Sequence, residues 1–127
     1  MMDKFVVFIL CLCLTVGGVT HIYDNIVDGF LPYHFAPAWL NLYWSALGIV
    51  DLLAVYLLIK HRRSGLILLL FILLTSVGFN SYAHYGLGIL ENTGKLQWQT
   101  LLLGFSIGVS FWLWNSQKNR HSRQIFR

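Results

Sequence analysis

Residues 38–63 read AWLNLYWSALGIVDLLAVYLLIKHRR: an apolar run interrupted by a single carboxylate, Asp51, and closed by a knot of cations. The apolar run, 38–59, is long enough to cross a bilayer, since a helix rising 1.5 Å per residue needs roughly 20 residues to span the hydrocarbon. Lys60 to Arg63 then reverse the chain into a second apolar run over 65–86. Outward from this pair lie two more such runs, 5–22 and 97–114, so four blocks take up nearly the whole chain. The expected fold is an all-α integral membrane protein, a single four-helix transmembrane bundle over 1–127 with short loops, both termini cytoplasmic, and a basic tail at 115–127.

Composition agrees. The 127 residues are 57% hydrophobic and 11% charged, whereas about a quarter of residues are charged in soluble proteins. Little chain is left for a soluble catalytic domain, so any chemistry must sit among the helices or at their rims. The first run has a Lys4 flank that suits a signal peptide, but the stretch after Gly18 has no clean small-x-small cleavage site. It is therefore expected to be the first helix.

The cations set the orientation. Lys4, the Lys60–Arg63 turn and the four basic residues of the tail place eight of nine Lys and Arg on one side, and only Lys95 on the other. Positive charge gathers in cytoplasmic loops, so that side is expected to be inside, in a plasma membrane of which the bacterial inner membrane is the simplest case. The surplus cations flank membrane runs instead of clustering with aromatics, which points to anionic inner-leaflet lipid as partner and not to nucleic acid. Trp39 and Trp98 open two runs at the outer rim, and Trp112 and Trp114 close the last at the inner one. The Pro-containing loop after the first run interleaves Phe30, Tyr33 and Phe35 with polar residues, so it should lie on the membrane surface or fold into the bundle mouth.

Helices in lipid associate through small residues and polar contacts. Gly104 and Gly108 have GxxxG spacing and are expected to pack within the bundle or to form a homo-oligomer. Gly17, Gly18, Ser45, Ala46 and Gly48 offer close approach elsewhere.

Asp51 is the sharpest chemical signal, about eight residues or roughly 12 Å from the inner rim. A carboxyl at that depth should face the interior with a partner. Thr75, Ser76, Ser106 and Ser110 are the expected candidates, because no Lys or Arg lies level with it. Without a cation, the carboxyl can exist as the neutral acid and act as hydrogen-bond donor or proton carrier.

A second constellation is expected at the outer end. His21, Asp24 and Asp28 recur at helical spacing, Ser76, Asn80 and His84 form a polar stripe, and His34 and Glu91 add loop ligands. Imidazole with carboxylate suits a divalent metal, for which His21, Asp24 and His84 are the candidate ligands. His21 and His84 facing one another would suit haem or quinone. Against these stands a solvated rim that collects polar residues. Cys11 and Cys13 point in different directions along a helix, and the CxxC, phosphate-loop, HExxH and GxSxG patterns are absent. Three readings follow: a proton, cation or small-ligand transport module with a polar mouth leading toward Asp51; an accessory or scaffold subunit of a membrane complex; or a membrane enzyme using His and Asp.

Overall fold

A computed structural model of the protein describes residues 1–125, so 126–127, the end of the expected basic tail, lie outside the described residues. The described residues are all helix and connection, with no strand. Helix α1 spans Met2–Val27, α2 Ala38–Lys60, α3 Arg62–Ser81 continued by a π-helical turn at Tyr82–Gly86, and α4 Thr93–Ile125. Met2–Val27, Ala38–Lys60 and Arg62–Gly86 are long and apolar enough to cross a membrane. α4 is not among them, because Gln97, Gln99, Thr100, Ser106 and Ser110 dilute its apolar residues and lower its mean hydropathy.

Two helices are longer than their apolar runs. α1 continues five residues past Ile22 and stops where the Asp28 N–H reaches the Asp24 carbonyl and Gly29 turns to φ 91°. That left-handed conformation is one that glycine adopts without penalty. α4 runs through the expected tail as far as Ile125, since residues 115–125 contain neither Pro nor Gly to break it.

The helices pack in chain order, α1 on α2, α2 on α3, α3 on α4. Their interior is mostly leucine, with Leu10, Leu40, Leu58, Leu66, Leu69 and Leu113 fully buried. The opposite faces carry Phe5, Phe8, Leu12, Ile49, Phe71 and Phe111, all exposed. Such outward apolar residues suit lipid as solvent and would be costly in water.

Backbones approach most closely between α1 and α2 and at the α2–α3 turn. A Cβ on Gly18 would lie 3.2 Å from the Gly48 carbonyl oxygen, and one on Gly48 would lie 2.8 Å from Ile22 Cγ1. Only His61 separates α2 from α3, and a Cβ on Gly65 would lie 2.8 Å from the Leu57 carbonyl carbon. The expectation that Gly104 and Gly108 pack within the bundle is corrected. Beyond its chain neighbours and the backbone of its own helix, neither would meet an atom within 4 Å of a Cβ, because the inward face of α4 is the one bearing Ser106, Ser110 and Leu113. GxxxG spacing defines a smooth face but does not determine which way it turns.

Candidate functional site: a buried carboxyl beneath a hydrogen-bonded cover

The loop between α1 and α2 folds over the mouth of the bundle. The Tyr33 hydroxyl donates to Asp24 Oδ2 and accepts from His21 Nδ1, both at 2.8 Å. Its ring stands edge-on to Trp44, with centroids 5.4 Å apart. Two asparagines fix the backbone that presents it: Asn41 accepts from the Tyr33 N–H and donates to the Leu31 carbonyl, while Asn25 accepts from the Leu31 N–H. Asn25 thus begins the turn into the loop. Burial, followed by the bond to Asp24, pushes the Tyr33 hydroxyl above the ordinary tyrosine value.

Below this cover a second polar layer crosses the bundle. Trp44 Nε1 on α2 donates to Asn80 Oδ1 on α3 at 2.8 Å, and Asn80 Nδ2 donates to Gln99 Oε1 on α4 at 2.6 Å. One amide side chain therefore ties three helices together at one depth. Ser76 and Thr75 bond instead to the Tyr43 hydroxyl, at 2.9 and 2.8 Å.

Asp51 is 6% exposed, and its Oδ1 is buried with no hydrogen-bond partner. The expected partners Thr75 and Ser76 are thus taken by Tyr43, and Asp51 turns toward α1: a Cβ on Gly17 would lie 2.9 Å from Asp51 Oδ2. Ser106 and Ser110, the other expected partners, are also buried, and their hydroxyl oxygens are equally unpartnered. Helical register relates them to Asp51. Trp44 and Gln99 are level, because both bond to Asn80. Asp51 and Ser106 each lie seven residues, two turns or roughly 10 Å, further in on those same faces.

The outer residues do not converge on one point. His21 and Asp24 meet through Tyr33, whereas His84 donates from Nδ1 to the Leu90 carbonyl. Asp28, His34 and Glu91 are exposed. Among the described residues, no group of three or more His, Cys, Asp and Glu side chains could hold a metal ion, so the proposed His21, Asp24 and His84 ligand set is not assembled. The Ser76–Asn80–His84 stripe is likewise divided, Ser76 bonding to Tyr43, Asn80 to Trp44 and Gln99, and His84 to the Leu90 carbonyl. The sequence placed Tyr33 in a loop expected at the membrane surface or the bundle mouth without giving it a partner, and Asn41, Trp44 and Gln99 were passed over, although two amides placed inside apolar runs were a signal.

Together these features define a small helical protein with three helices long and apolar enough to cross a membrane, a loop closed over one end of the bundle and an unpaired carboxyl inside. No known protein family, curated protein or solved structure matches the chain.

Proposed function

We propose that the chain crosses the membrane four times with both ends in the cytoplasm, and that Asp51 is the proton-binding group of a small proton- or cation-coupled transport module. The observation that carries this reading is the Asp51 carboxyl, 6% exposed, with Oδ1 unpartnered. An ionisable group at membrane depth is costly, and function is the default reason to retain it. The four-span topology has its own support: Asp3 near the start of α1 contacts Ser116 and Arg120 near the end of α4, so the two ends of the chain share one end of the bundle. An even number of crossings does the same. That shared end carries Lys4, Arg62, Arg63 and Lys118, a surface suited to anionic inner-leaflet lipid.

The test is Asp51→Asn in full-length protein reconstituted into vesicles enclosing a pH-sensitive dye. Asparagine preserves shape and hydrogen bonding but cannot titrate. Proton movement well above that of empty vesicles is expected for the unsubstituted protein, with loss to background in the variant. Equal rates in both would overturn the reading.

A second reading, a subunit that assembles with itself or with another membrane protein, draws on the uncovered Gly104 and Gly108 face. Replacing Gly104 by Leu should then lower the mass of the assembly in detergent while leaving proton movement unchanged.

A further inference from the structure

We infer that Ser106 and Ser110 of α4 complete the Asp51 site, and that the three side chains enclose a hydrated pocket whose ligand is a proton held on the carboxyl and shared with water. This rests on the reading of Asp51 as a proton site.

The protein buries Asp51 Oδ1, Ser106 Oγ and Ser110 Oγ, and leaves all three without a hydrogen bond. An unsatisfied buried polar atom is costly, so one explanation is due for each. A single ordered water with two to four polar partners satisfies several at once, and polar interiors are where such waters reside. Asp51 and Ser106 are level by register, and Ser110 lies one turn further in on the same face of α4. Gly17 closes the α1 side of the carboxyl, where a Cβ would lie only 2.9 Å from Oδ2, so Oδ1 is the oxygen left to face the serines. The Trp44–Asn80–Gln99 layer lies on the outer side of this pocket, and the fully buried Leu113 of α4 lies on its inner side.

Donor chemistry selects the ligand. Calcium takes six to eight oxygens and magnesium a near-ideal octahedron, whereas this pocket offers one carboxyl and two hydroxyls. No Lys or Arg lies within a turn of Asp51 on α2, of Gly17 on α1 or of Ser106 and Ser110 on α4, α3 carries its cations only at Arg62 and Arg63, and the titratable groups of α1 nearest Gly17 are Cys13 and His21, one turn to either side, so a proton is what makes the site neutral. A neutral acid can donate to water or to a serine oxygen. The serines then act as positioning residues that hold the acid hydrogen and its water in line.

Infrared difference spectroscopy on full-length protein in detergent, across the neutral pH range, reads the carbonyl stretch of a protonated carboxyl directly. An acid band that vanishes in Asp51→Asn, and shifts in frequency in both Ser106→Ala and Ser110→Ala, is the expected result. A shift on exchange into heavy water should accompany it. Replacing choline chloride by sodium chloride should leave the band unchanged. A band that Asp51→Asn removes but neither serine moves would overturn the shared pocket and leave the proton reading of Asp51 standing. A band that sodium abolishes at fixed pH would overturn the proton as ligand. No acid band at all would overturn both readings.

Discussion

Leu31 is the one described residue other than glycine with a positive φ, 56°, and the two asparagines beside it show how it is held there. A left-handed leucine is strained by about 1 to 3 kcal/mol, and the bonds from Asn25 and Asn41 to its N–H and carbonyl offset that cost. Asn41 is 6% exposed, so Asn41→Ala leaves the Leu31 carbonyl and the Tyr33 N–H unpaired beneath the loop. A loss of about 1 to 3 kcal/mol is expected in detergent unfolding, whereas Leu31→Gly should be neutral or stabilising. Tyr33 gives this loop a pH dependence. Its hydroxyl holds its proton more tightly in the folded protein than in the unfolded chain. The contribution to stability is therefore complete below the unfolded tyrosine value of about 10 and is lost as pH climbs above it. Melting temperature followed into the alkaline range should fall above that point in the unsubstituted protein and fall less steeply in Tyr33→Phe.

Between elements, the closeness of backbones decides what each glycine does. A Cβ on Gly65 would meet the Leu57 backbone of the preceding helix, and with only His61 joining α2 to α3 neither helix can yield by sliding. Gly65→Ala should cost about 1 to 3 kcal/mol as overpacking. Gly78, in the same helix with nothing within 4 Å, should tolerate alanine and gain up to about 1 kcal/mol from helix propensity. Unfolding the two variants in parallel checks both. This contrast also marks how far sequence reading reached. Apolar runs bounded by Lys60–Arg63 reveal helices, because crossing lipid imposes length and hydrophobicity together. They do not reveal helix ends, since α1 beyond Ile22 and α4 beyond Trp114 are polar but unbroken. Asp51 stood out because a carboxyl inside an apolar run is rare. Its surroundings did not, because which face of a helix turns inward depends on neighbours that spacing does not specify. The Tyr33 cover joins residues across a loop and two helices, a pairing set by tertiary structure alone.

Over the whole molecule, α4 is the helix held least by the others, since its packing on α3 is less extensive than that of α1, the other terminal helix, on α2. Its tie to α1 lies at the end of the bundle where the chain begins and ends. There Asp3, 7% exposed, accepts from Arg120 at 2.8 Å and from Ser116 at 3.3 Å, with Arg62 at 3.9 Å. Arg63 lies 5.1 Å over the Trp114 ring beside it. The Arg120 side chain is 65% exposed, so solvent screens the pair and its direct worth is about 0.2 to 1 kcal/mol. A double-mutant cycle on Asp3→Ala and Arg120→Ala should return a coupling in that range that shrinks as salt is raised, and a coupling of zero would mean that the contact does not join the two helices. Small as it is, the tie acts at one point between helices that touch little elsewhere. Its loss should therefore show less in global stability than in local opening of the helix that carries Ser106 and Ser110. Amide exchange along the middle of α4 is expected to quicken in Asp3→Ala while the buried leucines of α2 and α3 stay protected, since local opening follows the contacts that hold an element and not the total stability.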